Sequence, residues 1–549
     1  MKFVFRTDSS FEIGTGHVIR CLTLAKELRN REVECVFVCR EHDGHLIEKI
    51  LQEGFRCIAL NKYTETHEIK DTDGPVLAHA KWLGVAWLSD AQETIRALEG
   101  KKFDWLVVDH YALDMHWEGL LRPHVKNIMV IDDLADRSHD CDLLLDQNLI
   151  ANFETRYQNI VPEHCIALLG PQYSLLQPEY AFFHQRTPPR SGPIKNILIF
   201  FGGVDQFNLT GRTLSAFLKL NRYDIKLNLV VTSCSPHWAS IQGQVQQHAN
   251  INIYSELPTL SHLLIDADYS IGASGATSWE RCCLGVPSLI ITITENQKPI
   301  AEELDEQGLV RWLGHYDAVT DDMLLEALQT AIDDKDLESR SLACMTVADG
   351  NGVKRVASYL MLNAKTKLMA RLACLNDEML LLRWVSDPLF SHSDFNPKDI
   401  TTETHRRWFY SRLRNHERCK IYIVQTIDGM PLGQIRFEYI KNAWVINYSL
   451  TSIVRERELT RNVLKIALKA FRAENNGPQV FASVKQSNGY SQKIFDELGL
   501  PSSEGGKLSI AICSDSKSWI NEFIPELFKP LFKAIKYFAV PPKFILAIM

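Results

Sequence analysis

Two short stretches of this chain carry residue types and spacings able to do chemistry. The first is Gly14-Thr15-Gly16-His17, flanked by Asp8 and Arg20. Gly14 and Gly16 let the backbone approach a ligand closely. An imidazole at the start of a helix, where the dipole disfavours the imidazolium, is suited to accept a proton. His17 is therefore read as a general base, with capping or packing as the plainer alternative. Asp8 would hold the loop or contact a substrate. Arg20, one turn further on, would reach a phosphate or form a surface ion pair. The second stretch runs over residues 272–290. Small residues including Ser274 and Gly275 follow an apolar run at 269–272 and open a helix that ends at Gly285, and Pro287 introduces the next strand. Bare backbone N–H groups and a positive helix end then face an anion, for which a nucleotide is the expected occupant. Glu280, on what reads as the first helical turn, would accept hydrogen bonds from the two hydroxyls of a ribose, or complement its own helix dipole.

Weaker signals surround these two. Gly202-Gly203 form a second glycine turn able to approach a pyrophosphate, although such pairs are mostly structural. Asn296 and Gln297, just past a strand, offer amide groups to a sugar or phosphate, or simply form a polar loop. The acidic run Asp132, Asp133, Asp136, Asp142 and Asp146 matches no metal-loop spacing, so its members are expected to line a cleft or cap turns. There is neither a CxxC pair nor an HExxH motif, and no metal is expected.

The elements that must position these residues follow from β-α alternation. Strand-like runs at 2–6, 35–39, 105–108, 128–131 and 143–145 alternate with helical patterns, which implies a parallel sheet covered on both faces. A break rich in Pro, Gly and Ser at 187–193 separates this set from a second one at 196–201, 226–231, 252–254, 268–272 and 288–292. The expected fold class is α/β: a pair of Rossmann-type domains, 1–190 and 191–365, binding ligand outside the carboxyl ends of their strands. A smaller α+β domain is expected at 366–515, with three meandering strands between helices, followed by an amphipathic helical tail at 516–549 that packs on the body or contacts a partner or a membrane surface.

A chain of 549 residues exceeds what one core organises. The formal net charge of -7 offers no field for nucleic acid or an anionic membrane. The thirteen cysteines form no disulfide-like framework and read as reduced, mostly buried thiols. No signal peptide and no membrane span are read from the sequence, and a cytoplasmic location is expected.

In order along the chain, Gly14-x-Gly16-His17-x-x-Arg20-Cys21, then Asp109, Tyr111, Asp114, Trp117 and Glu118, then Asp132 to Asp136, Asp146-Gln147-Asn148, Gly202-Gly203 and Gly272-x-x-Gly275-x-x-x-Trp279-Glu280 form a set. This set resembles the PseG family, the UDP-2,4-diacetamido-2,4,6-trideoxy-β-L-altropyranose hydrolases of pseudaminic acid biosynthesis, over about residues 1–360. The resemblance implies a GT-B arrangement related to MurG and hydrolysis of the sugar–UDP bond with inversion and no cofactor. His17 would be catalytic, and the nucleotide contacts would fall on Gly202-Gly203, the Gly272–Gly275 loop and Glu280. A UDP-sugar is the implied partner, with contact to other enzymes of sugar biosynthesis. A glycosyltransferase using a sugar hydroxyl in place of water, and a non-catalytic nucleotide-sugar scaffold, stay open at this point.

Residues from about 367 to 515 resemble the GNAT acetyltransferases, in particular the type that N-acetylates the 4-amino sugar one step earlier. The resemblance implies acetyl-CoA as cofactor, held near Arg455, Arg457, Thr460 and Asn488. In the loop 455–460 both of the family's glycines are absent, and Glu458 sets a carboxylate where bare amides are expected. Either the arginines compensate, or the domain serves packing, sugar binding or assembly.

Overall fold

The computed structural model describes residues 1–62, 77–233, 235–255, 257–363, 365–386, 401–440, 442–451, 454, 459–475, 479–482 and 489–500. Its first sheet contains β1 (Lys2–Thr7), β2 (Glu34–Arg40), β3 (Arg56–Leu60), β4 (Phe103–Asp109), β5 (Val125–Ile131), β6 (Leu143–Asp146) and β7 (Ile166–Leu169). They lie in the order β3-β2-β1-β4-β5-β6-β7, and every pairing is parallel. The central strands are continuous apolar runs because both faces are covered: Phe3, Val4, Phe5, Leu106 and Val107 are wholly buried.

The second sheet repeats the plan with β8 (Asn196–Phe200), β9 (Lys226–Val230), β10 (Ile251–Tyr254), β11 (Tyr269–Ala273), β12 (Ser288–Thr292) and β13 (Val310–His315). Its order is β10-β9-β8-β11-β12-β13, again parallel. In both sheets the chain starts at the centre, winds to one edge, and returns to build the other half. The connections after β1 and β4, and after β8 and β11, therefore leave in opposite directions and open a crevice at the carboxyl ends. Both chemistry-bearing stretches of the sequence sit at these switch points. All strands read from the sequence in these two sets are present; β3, β7 and β13 were not among them.

The helix Gly352–Met361, which the sequence boundaries assign to the second domain, returns to the first sheet. Its Leu360 carbonyl accepts from Trp105 Nε1 at 3.1 Å, and Ser358 Oγ accepts from Arg31 Nη1 at 2.9 Å. Its apolar stripe of Val353, Val356, Ala357 and Leu360 is fully buried, which is the reason for the return: left facing solvent, that stripe would forgo the burial that holds a helix of this length. Both sheets belong to one compact unit, Met1–Met369 with Gln425–Leu432 and Ser452–Leu459.

The second unit is drawn from the described residues of Ala370–Val424, Gly433–Thr451 and from Thr460 onward. Its sheet runs β14 (Leu368–Leu372), β15 (Cys419–Thr426), β16 (Pro431–Ile440), β17 (Ala443–Leu450) and β18 (Val480–Ala482) in sequence order. The β16–β17 pairing is antiparallel and β17–β18 is parallel, as an α+β meander with one crossover helix, Thr460–Glu474, requires. Among the described residues no helix is long and apolar enough to cross a membrane.

Candidate active site

His17 lies in the first turn of the helix Gly16–Asn30, directly after the loop that leaves β1. Gly14 in that loop has φ +81°, a left-handed conformation that β-carbon-bearing residues adopt at a cost, and its N–H returns to the Ser10 carbonyl at 2.9 Å. The end of β4 lies beside β1, with Thr7 in register with Asp109. Asp109 is fully buried and accepts from His17 Nδ1 at 2.6 Å. Arg20 clamps the same carboxylate through Nε and Nη2, both at 2.7 Å, and reaches Asp133 with Nη1 at 2.7 Å. Burial alone would raise the Asp109 carboxyl, but Arg20 and His17 hold it far below the ordinary range. An ionised Asp109 places the His17 proton on Nδ1, which leaves Nε2 as the basic nitrogen; among the described residues Nε2 has no hydrogen-bond partner.

Tyr111 packs the edge of the His17 ring at 4.6 Å between centroids and donates its hydroxyl to Asp133 at 2.5 Å. Asn148 bridges Asp133 and Asp146 through Nδ2, at 2.7 and 2.9 Å. Burial and the neighbouring Asp133 push the Asp146 carboxyl up to about 7. The acidic run of the sequence thus resolves by position. Asp133 braces the Arg20–His17 group, and Asp132 is tied to Arg137 at 2.9 Å and to the Ala135 amide at 2.7 Å.

For Arg20 and Asp8 the structure selects between the two roles the sequence left open, the Arg20 ion pairs being buried instead of at the surface. Arg20 is not open to a phosphate: three of its nitrogens are spent on Asp109 and Asp133, because a buried guanidinium needs its countercharges inside the protein. Asp8 is fully buried against Arg6 at 2.6 Å and the Arg40 amide at 2.7 Å, so of its two expected roles it takes the loop-holding one. Gly16 opens the helix with no neighbour where a Cβ would stand, so it leaves free space beside the helix end.

The second cluster surrounds the turn after β11. A Cβ on Gly272 would fall on the Phe200 carbonyl of β8, so only glycine fits between these strands. Ser274 is 1 % exposed and its Oγ has no partner. Gly275 has φ +151° and precedes the helix Ala276–Cys283, which closes at Gly285 (φ +63°) as the sequence predicts. Its N-cap, Gly275, has no side chain to accept from the first helical amides, and Ser278 Oγ accepts the Gly275 amide at 3.3 Å. Gln297 comes to this loop, its Nε2 facing Gly275 and its Oε1 accepting the Ile293 amide at 2.9 Å. Asn296 does not: it is exposed and accepts the Thr294 hydroxyl at 2.6 Å. Glu280 stands on the second helical turn, not the first, with Tyr180 as an electrostatic neighbour. Its Oε2 is buried without a partner, and burial pushes its carboxyl up to about 7.

The Gly202-Gly203 turn differs from this one. Asp205 accepts the Leu209 and Thr210 amides, each at 2.9 Å, so the start of the helix Leu209–Lys219 already holds a carboxylate. Gly202 keeps its glycine-favouring φ of +98°.

In the second unit Thr460 is the first residue of its 15-residue helix, 1 % exposed, with its Oγ1 unpartnered among the described residues. Arg455, Arg457, Glu458 and Asn488 lie outside the described residues, as does the tail 516–549. Asp109, Tyr111 and Asp133 were not chosen from the sequence as site residues. The signal for Asp109 was an acidic residue closing an apolar run whose strand lies beside β1.

Two Rossmann-type parallel sheets with polar loops at their switch points form a GT-B-like pair, and an antiparallel-centred α+β sheet follows them. Comparison with known proteins gives these likenesses. Residues 367–501 match the family model described as an acetyltransferase (GNAT) domain. The chain is 25% identical over 308 residues (56% of this chain, 97% of the relative) to the UDP-2,4-diacetamido-2,4,6-trideoxy-beta-L-altropyranose hydrolase of Campylobacter jejuni. It is 23% identical over 522 residues (92% and 98%) to an uncharacterized protein of Methanocaldococcus jannaschii. Among solved structures, Acinetobacter baumannii MurG is similar over 65% of this chain and 99% of its own, with 15% identity and a TM-score of 0.45. The chain therefore joins a part similar to the Campylobacter hydrolase to a part, residues 367–501, that matches the acetyltransferase (GNAT) family model.

Proposed function

We propose that the two-sheet part hydrolyses the bond between UDP and a 2,4-diacetamido-2,4,6-trideoxy sugar, the β-L-altropyranose form being the expected substrate. His17 Nε2 takes a proton from water as the water attacks the anomeric carbon. The carbon–oxygen bond to the β-phosphate breaks, the free sugar leaves with inverted configuration, and the released UDP keeps the bonding electrons. Asp109 fixes the tautomer and steadies the imidazolium that forms. The amides around Ser274 and Gly275 receive the phosphate charge, and Glu280 receives the ribose hydroxyls. The observation that carries this reading is the buried His17–Asp109 pair with Nε2 left unbonded at the mouth of a Rossmann-type switch point.

The test is UDP release from this nucleotide sugar by the wild type and by His17→Ala. Loss of turnover with UDP affinity retained is expected. Full turnover in the variant removes His17 from the mechanism, release only on adding a sugar acceptor makes the protein a glycosyltransferase, and UDP affinity without turnover under any condition makes it a binding protein.

The GNAT domain is proposed to N-acetylate the 4-amino nucleotide-sugar precursor. Acetyl-CoA would supply the acetyl group. The orphaned Thr460 hydroxyl at a helix start fits a pyrophosphate oxygen.

A further inference from the structure

Arg281 is a buried cation that, among the described residues, forms no ion pair with a carboxylate, Glu280 acting on it only at longer range. It lies on the helix Ala276–Cys283 and is 3 % exposed. Its Nη2 donates to the Ala273 carbonyl at 2.7 Å and to Ser278 Oγ at 3.1 Å, while its Nε is buried with no partner. The other buried arginines of this unit show what is missing. Arg6 is paired with Asp8 and Asp90, Arg20 with Asp109 and Asp133, and Arg137 with Asp132. Arg190 has no carboxylate either, but four backbone carbonyls, including Ala267 and Leu264 at 2.8 Å, surround it. Burial, only partly offset by the charge of Glu280, lowers the Arg281 guanidinium to about 10. A buried charge in that state is unfavourable until an anion arrives.

The loop it supports is the one built to receive an anion. Arg281 bonds the residue before Ser274, and it shares Ser278 Oγ with the Gly275 amide, which donates to the same oxygen at 3.3 Å. The N-cap residue above it, Gly275, has no side chain to offer the amides that follow, and the Ser274 hydroxyl, 1 % exposed, is unpartnered within the loop. Resting on the nucleotide reading above, we infer that Arg281 is a positioning residue for the phosphates: it pins the Ala273–Gly275 loop from beneath and supplies a fixed positive charge that the ligand's phosphates complete. It acts through the loop, without touching the nucleotide.

Calorimetry of the full chain with UDP and with uridine separates charge from shape. The wild type should bind UDP more tightly than uridine. Arg281→Met should lose about tenfold in UDP affinity, the weight of one charge acting over several ångströms of protein, with uridine affinity unchanged. Arg281→Lys should restore most of the UDP preference, and Ser278→Ala, which removes a loop tie and keeps the cation, should retain it. An unchanged UDP-to-uridine ratio in Arg281→Met overturns the inference, as does a Ser278→Ala ratio that falls equally far. Should Arg281→Met fail to fold, Arg281→Gln is read by the same ratio. A wild type with no preference for UDP overturns the nucleotide reading itself, and this inference with it.

Discussion

Replacing Asp109 by asparagine tests the centre of the site without changing its volume. The carboxylate now accepts from His17 Nδ1 at 2.6 Å and from two Arg20 nitrogens at 2.7 Å. An amide can face only one of those donors with oxygen. If its oxygen serves Arg20 Nε, its NH2 meets His17 Nδ1, and the imidazole must move its proton to Nε2, where the base is needed. If the oxygen faces His17, the tautomer survives but the countercharge to the forming imidazolium is gone. Two unit charges about 4 Å apart at an effective dielectric near 20 interact by about 4 kcal/mol, so turnover should fall roughly a thousandfold on that account alone, and further with the wrong tautomer. Steady-state UDP release measures this, with KM for the nucleotide sugar expected to change little. Arg20 keeps Asp133, so the variant should still fold, which thermal unfolding checks. Turnover within threefold of wild type, in a folded Asp109→Asn protein, refutes the dyad and the role given to Nε2.

Two further predictions follow from buried carboxylates. Burial raises the Glu280 carboxyl from its ordinary range to about 7, so the folded chain binds more protons than the unfolded one between about pH 4.5 and 7; that contribution to stability is present below the unfolded value and is lost as pH rises through 7. Glu280→Gln should therefore gain in melting temperature relative to wild type at pH 8 and not at pH 4.5. UDP affinity is expected to rise in the wild type between pH 6 and 8, as Glu280 ionises to accept the ribose hydroxyls, and to stay flat in the variant; parallel curves for the two proteins would discount the ionisation. Glu118 and His139 form a pair at 2.7 Å with both side chains wholly buried, and Glu118 Oε2 also accepts the Asp140 amide at 2.6 Å. Glu118→Gln should cost about 3–5 kcal/mol in denaturant unfolding, and a loss below 1 kcal/mol would mean that the pair is replaceable.

The legibility of this chain follows burial. Strands covered on both faces, such as Phe3-Val4-Phe5 and Leu289-Ile290-Ile291, read as apolar runs and were all found. The strands that escaped, β3, β7, β13 and β14, all lie on sheet edges. Arg56 and Ala59 are exposed, Arg311 and Trp312 are only partly covered, and β7 offers just the residues Ile166–Leu169, so the apolar pattern is interrupted or short. At the site, glycines and a histidine beside them announced themselves because their conformational demands are local. Arg20 was misread because its partners, Asp109 and Asp133, are 89 and 113 positions away, and only the strand order β1-β4-β5 brings them under it. The return of the helix Gly352–Met361 to the first sheet was invisible for the same reason: an amphipathic stripe says that it must be covered, not by what.

Asp205 gives the second sheet a different consequence. By seating its own side chain on the amides that open the helix Leu209–Lys219, the protein has filled one of two equivalent sockets in advance. On the proposed reading, the phosphate charge then falls to the loop at Ser274, and the turn at Gly202 faces neutral parts of the nucleotide sugar. Substitutions around Gly202 should then alter which sugars are accepted, and substitutions around Ser274 how tightly the nucleotide is held.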